Sequence, residues 1–209
     1  MRMSVCRMKI DIRRWPLTTI SGVIVILLYC TFTLVSWILY PESYGPTTNY
    51  LSRLGNFDWS PFGAYFYNAG CILTGIALIP FFLSLRVWYT DSKLQLTLFI
   101  PGQFIGVLSG IALIMIGIFS EDQGAPHMTA SSTFFLLNFV GLILINLALL
   151  WHPKFIKPIA LYGFILDVLT LSLEMVMHGP LIEWITVFGS LFFVALISIN
   201  SLRLRESLE

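Results

Sequence analysis

Six long apolar runs separated by short polar gaps dominate the hydropathy pattern of this chain. A helix needs roughly 20 apolar residues to cross the ~30 Å hydrocarbon layer of a bilayer. The runs predict six such helices, at Leu17 to Leu39, Phe62 to Leu85, Thr97 to Phe119, Ser131 to Trp151, Ile159 to Val176 and Trp184 to Leu202. The expected fold class is an all-α integral membrane protein: one six-transmembrane-helix bundle over 17–202, between tails at 1–16 and 203–209. The first run follows a basic stretch, but it is too long for a signal-peptide core and lacks a small-residue cleavage site, so it reads as a retained helix.

The gaps "RVWYTDSK" and "WHPKFIKP" are short enough to imply antiparallel neighbours, and Pro153 and Pro158 discourage helix across the second. Only the gap from Tyr40 to Pro61 has room for structure of its own. Pro41, Gly45 and Pro46 read there as turns. Thr47 or Thr48 is placed to cap a short helix that Gly55 stops, and that helix is expected to lie along the membrane surface.

Composition sharpens this picture. The chain is 57% hydrophobic and only 11% charged, against roughly a quarter charged in soluble domains. Its net charge of +1 gives no reason to invoke a nucleic-acid partner. The distribution of charge is more informative than the sum. Arg2, Arg7, Lys9, Arg13, Arg14, Arg86, Lys93, Lys154, Lys157, Arg203 and Arg205 occupy alternate gaps and the tails, and only Arg53 falls on the opposite side. By the positive-inside rule both termini are expected in the cytoplasm, in a multi-pass protein of the plasma membrane. Glu42, Asp58, Glu121, Asp122, His127, His178 and Glu183 collect outside. All six tryptophans lie near predicted helix ends, where an amphipathic ring sits well at the interface.

Cys6 lies in the cytoplasmic tail, and Cys30 and Cys71 lie within helices at similar depth. They read as apolar packers, with a Cys30–Cys71 pairing left open. Gly102, Gly106 and Gly110 form a small-residue stripe on the third helix. Such a stripe lets backbones approach closely in lipid, either within the bundle or at a homodimer or partner seam.

Candidate chemistry lies on the outer side. In "LYGFILDVLTLSLEMVMHG", Asp167, Glu174 and His178 share a narrow arc of the fifth helix. A carboxylate at mid-membrane costs roughly 2.5–3.5 kcal/mol, so these residues are expected to face the bundle or a wet cavity. Asn68 and Asn138 lie at compatible depths, and "SEDQGAPHMTAS" adds Glu121, Asp122 and His127 on a tight turn set by Gly124 and Pro126. Such groups can bind a divalent metal, supply a general acid and base, or hold a polar head group. The residues do not choose between these. No local metal signature is present. His152 reads as interfacial, and Glu42 and Glu183 as solvated loop acids.

The stretch "YGPTTNYLSRLGNFDWSPFGAYFYNAGCILTGIALIPFF" resembles the outer loop and second helix of a prokaryotic membrane family catalogued as domain of unknown function 998. The resemblance rests on Tyr44, Tyr50, Ser52, Leu54, Gly55, Pro61, Asn68 and Gly70. It extends to the acid-then-histidine loop of Glu121, Asp122 and His127. One departure is Arg53, where the family pattern often has an acid; Asp58 is the nearby substitute. A looser topological likeness to six-helix proteins that include a GPI-anchor remodelling factor implies lipid head groups.

The resulting expectation is an outward-opening pocket between helices two, four and five that binds, and in an enzymatic version processes, a lipid or amphipathic small molecule of the outer leaflet. Asp122, His127, Glu174 and His178 are the candidates for acid/base or ligand roles, with Asn68, Asn138, Asp58 and Asp167 for substrate binding. A non-catalytic membrane subunit is the alternative, and a transporter the third.

Overall fold

The computed structural model describes residues 14–206, and all regular structure among them is helical. Arg2, Cys6, Arg7, Lys9, Arg13 and the end of the C-terminal tail lie outside the described residues. Six long helices follow one another: α1 (Leu17–Ile38), α2 (Gly63–Ser84), α3 (Lys93–Ile118), α4 (Ala125–Trp151), α5 (Lys157–Met177) and α6 (Pro180–Glu206). Each is long and apolar enough to cross a membrane. They match the six runs closely, although α3, α4 and α6 begin four to six residues earlier than the hydropathy predicts. Local capping causes the extension. Ser92 Oγ accepts the Gln95 N–H at 3.4 Å to start α3, and Gly124 at φ 69 swings the chain into α4, where a proline occupies the first turn.

The helices form a ring. α3 packs firmly on both α2 and α4, α1 packs on α2 and α6, and α5 bridges α4 and α6 more sparsely, while α4 and α6 hardly touch. Both described termini lie at one end, together with Arg14, Arg86, Lys93, Lys154, Lys157, Arg203 and Arg205; the far end holds Arg53.

Side-chain polarity is inverted relative to a water-soluble bundle. The buried face of α1 is Thr18, Gly22, Val25, Tyr29, Thr33 and Ser36, at the three- and four-residue spacing of one helix face, while Leu17, Ile24, Leu27, Leu34 and Ile38 point outward. Lipid is as apolar as leucine, so helices gain by burying hydroxyls and small groups against one another. The Thr18 hydroxyl donates to the Ser84 carbonyl at 3.0 Å, and that of Thr19 to the Ser198 carbonyl at 2.8 Å, tying α1 to both of its neighbours.

The α3 glycine stripe is buried within the chain. Gly102 faces the Gly141 carbonyl of α4, Gly106 faces the Phe82 ring, and Gly110 faces the Gly75 carbonyl of α2. A methyl group built on Gly75 would lie 2.5 Å from the Gly110 carbonyl oxygen, and one on Gly117 would lie 2.4 Å from that of Asn68. α2 and α3 therefore meet backbone to backbone. Cys30 and Cys71 are both free thiols.

Three expectations change. Thr47 to Gly55 does not form a surface helix: after a turn, a 3-10 segment at Leu51–Gly55 buries Leu51 and Leu54 completely beneath the far end. Two leucines three residues apart prefer the core of the bundle to the interface. Trp88 and Trp184 are core residues instead of interfacial anchors, their indole N–H groups donating to Ser201 Oγ at 3.0 Å and to the Asn49 carbonyl at 2.9 Å. His152, expected at the interface, is buried edge-on against Trp88, and its Nδ1 accepts the Lys154 N–H at 3.2 Å. Burial first, then Lys157 and Lys154, push its pKa below the ordinary value.

Candidate functional site

The segment between α1 and α2 is drawn down over the far end of the bundle, and most of the polar residues there hold it in place. Leu51, Leu54 and Gly55 are buried, so their backbone groups need partners. The Leu51 N–H donates to Glu183 Oε2 at 2.7 Å, the Ser36 hydroxyl donates to the Leu54 carbonyl at 3.2 Å, and Asn68 Nδ2 donates to the Gly55 carbonyl at 3.0 Å. Gly55 is required there. A methyl group on it would sit 2.4 Å from Asn68 Oδ1. The second half of the lid meets the turn before α4: Arg53 pairs with Glu121 at 3.5 Å and lies over the Trp59 ring, Asn56 Nδ2 donates to Glu121, and the Phe57 N–H donates to Asp122 Oδ1 at 3.2 Å. Arg53, the departure noted in the sequence, thus becomes the cation that joins the two loops.

Asp122 is exposed, and burial alone would raise its pKa. The Phe57 N–H, the Ser120 hydroxyl, its own N–H and His127 outweigh that and hold the carboxyl below its ordinary value. His127, in the first turn of α4, is buried and donates from Nδ1 to the Phe119 carbonyl at 2.7 Å, which leaves Nε2 as its other ring nitrogen. Beside the lid, Trp37, Tyr40, Tyr44, Trp184 and Phe188 form an aromatic column, and the Tyr44 hydroxyl donates to the Tyr50 carbonyl at 2.8 Å. Burial first, then the charge of Glu183, raise the Tyr44 pKa, so this phenol stays neutral.

The other predicted residues lie elsewhere. Glu174 and His178 pair with each other at 3.6 Å at the far-end half of α5, both well exposed. From Leu171 to His178 only Leu173 is even half-buried, so this half of α5 is bare on nearly every face. Asp167 is buried at the middle of α5, with Asn146 Nδ2 at 3.5 Å. Asp58 is exposed, and its N–H donates to Asn56 Oδ1. The four acid/base candidates therefore divide into a lid pair, Asp122 and His127, and an α5 pair. Among the described residues no group of three or more His, Cys, Asp or Glu is arranged to hold a metal ion.

Asn138 marks a different place. It lines a central cavity of about 60 Å³ together with Tyr29, Thr74, Phe134, Thr186 and Ser190, among apolar side chains from α1, α2, α3, α4 and α6. Thr74 lies 11 residues into α2 and Ser190 lies 10 into α6, or roughly 15–17 Å from the far end at 1.5 Å per residue, which is mid-depth in the bilayer. The Thr74 and Ser190 hydroxyl oxygens are buried without a hydrogen-bond partner. Asn138, Thr186 and Ser190 are half-buried, so the cavity is not sealed on the side where α4 and α6 part. Isolated hydroxyls in apolar helices usually bond their own backbone, as Thr186 does to the Ile182 carbonyl at 2.7 Å. The sequence reading singled out Asn138 but not Thr74 or Ser190, because nothing in a sequence shows whether a hydroxyl is left unpaired.

The model of a protein family described as "Protein of unknown function (DUF998)" matches residues 23–200, which covers nearly all of the six helices and every loop described above. The chain belongs to this family. No curated protein and no solved structure matches it. The DUF998 match spans both the lid with its ties and the central cavity, so both lie within the family's own segment of the chain.

Proposed function

We propose that this DUF998 protein binds a lipid or amphipathic small molecule of the outer leaflet, whose polar end reaches sideways from the bilayer into the central cavity. The observation that carries this reading is the convergence of the unpartnered hydroxyls of Thr74 and Ser190 with the Asn138 amide on one mid-depth cavity. A buried hydroxyl without a partner costs roughly 1–3 kcal/mol, and a ligand's hydroxyl or carbonyl would recover it. The cavity, at about 60 Å³, admits only the polar end of such a molecule, and the bare far half of α5, beside the gap between α4 and α6, suits its acyl or isoprenoid chain lying along the flank. The lid closes the alternative route from the far-end solvent. Binding is favoured over processing, because Asp122 is engaged by the Phe57 N–H while Glu174 and His178 lie on the exposed face of α5.

The reading places the far end outside the cell, as the basic residues at the other end imply. In a cysteine-free background, single cysteines at Glu42 and Gln123 then react with an impermeant thiol reagent on intact cells, and one at Asp91 does not. The binding test is photo-crosslinking of a diazirine-labelled fatty alcohol in nanodiscs. Labelled peptides are expected from α4 and α6, lost in Asn138→Leu while the melting temperature holds. Labelling spread evenly over all lipid-facing helices and unaffected by Asn138→Leu would overturn the reading. A membrane-protein partner seated on Met175, Val176 and Met177 is the second reading, favoured by their exposure of 68–80%. Copurification of a stoichiometric protein partner that is lost in Val176→Ser would select it.

A further inference from the structure

A second and larger cleft lies at the opposite end of the bundle, where α1 begins and α6 ends. Its volume is about 660 Å³, within the roughly 300–1,000 Å³ of ligand-binding clefts. The walls are amphipathic. Pro16, Leu17, Val87 and Leu204 line it with apolar groups, and Arg86, from the α2–α3 connection, and Arg205, from α6, line it together with Thr18, Ser84 and Tyr89. Leu17 and Val87 remain substantially exposed although they face this cleft. The Arg86 guanidinium has no hydrogen bond or ion pair among the described residues.

We infer that this cleft is a binding site for an anionic phospholipid of the adjacent leaflet, with the phosphate on Arg86 and the upper acyl chain against Leu17 and Val87. The two halves of the cleft argue for one molecule. A guanidinium is a bidentate phosphate ligand and is weakly hydrated, so it suits the membrane interface. Basic pockets between helix ends on the cytoplasmic side select anionic head groups through the same charge that sets topology. A free phosphate would satisfy Arg86 but leave the apolar lining uncovered. A zwitterionic lipid would cover the lining but bring its own cation beside Arg86.

The site is independent of the central cavity, and its test does not involve that cavity. Purified full-length protein in neutral detergent is titrated with tail-labelled phosphatidylglycerol, with phosphatidylcholine and with inorganic phosphate as separate arms, followed by fluorescence anisotropy. Phosphatidylglycerol is expected to bind at least about tenfold more tightly than phosphatidylcholine, and Arg86→Gln to remove about tenfold, the value of one charge-assisted contact. Lys154→Gln, a charge change at the same end but outside the cleft, should leave affinity within about twofold. Val87→Asp should weaken phosphatidylglycerol binding without altering the melting temperature, because the residue is exposed. Equal affinity for the two lipids, or an unchanged Arg86→Gln, would overturn the inference. Competition by inorganic phosphate at concentrations that displace the lipid would show a plain anion site and overturn the lipid assignment.

Discussion

Substituting alanine at four glycines separates steric from conformational demands, and the structure ranks them in advance. At Gly75 the added methyl group would lie 2.5 Å from the Gly110 carbonyl oxygen and 3.0 Å from the Ile114 nitrogen, both backbone atoms. No rotamer change relieves that overlap, so α2 and α3 must move apart along their closest approach. Overpacking of this kind costs typically 1–3 kcal/mol. At Gly106 the obstacle is the Phe82 ring, at 2.4–2.7 Å, which can turn but only within a buried space, so the loss should be intermediate. At Gly124 nothing lies within 4 Å, and the cost is the backbone alone, at φ 69 and ψ −110, a region that side chains rarely enter, or roughly 1–3 kcal/mol. Gly179 has open space and no positive φ, so Gly179→Ala should be neutral. For a chain of this size 1 kcal/mol corresponds to roughly 2–4 °C. Gly75→Ala is therefore expected to lower the melting point by about 2–12 °C, measured by intrinsic fluorescence in a mild detergent, with Gly179→Ala within about 1 °C of the parent. If Gly75→Ala melts with the parent, the backbone contact between α2 and α3 does not hold the bundle and the reasoning fails.

The lid gives two further expectations. Glu183→Ala leaves the Leu51 N–H without its acceptor in a buried setting, at roughly 1–3 kcal/mol, and should speed proteolytic cleavage between Tyr40 and Pro61; Glu42→Ala, on an exposed acid of the same loop, should not. Asp122 titrates below its ordinary value of 3.8, so its tie to Phe57 contributes stability above that pH and loses it as pH falls through the lowered folded value. Hydrogen exchange at the Phe57 amide, corrected for intrinsic rate, should accelerate only in that acidic range, and Asp122→Asn, whose amide oxygen still accepts, should abolish the pH dependence.

The helices were legible because a spanning segment advertises itself by length and apolarity, and because one end of this bundle carries nearly every basic residue. The lid was half-legible. Asn68, Glu121 and Asp122 appear as candidates and Tyr44 and Gly55 carry the family resemblance, yet their use differs from the expectation, since Asn68 and Glu121 are occupied by the lid itself. A polar residue deep in an apolar run signals only that it needs a partner. Whether that partner is a ligand or a backbone carbonyl thirteen residues away depends on tertiary packing. Glu183 shows the same limit: beside Trp184 at a helix start it reads as a solvated acid, and only the burial of Leu51 turns it into an acceptor. The glycine stripe was read as a packing or dimer face, but Gly75 and Gly117, which make the tightest backbone approaches, stand outside the regular four-residue spacing that drew attention.

The hydroxyl stripe of α1 bears on how the molecule is made. Thr18 is satisfied by Ser84 of α2, the next helix to insert, but the partner of Thr19 is Ser198 of α6. A chain that inserts its helices in order therefore keeps a polar seam on its first helix turned toward lipid, or looped back onto its own carbonyls as Ser21 is onto Leu17, until α6 arrives. The ring is closed by its last segment. Chains released early would carry an unzipped first helix, the kind of exposed polar surface by which membrane proteases distinguish an unfinished polypeptide from a finished one.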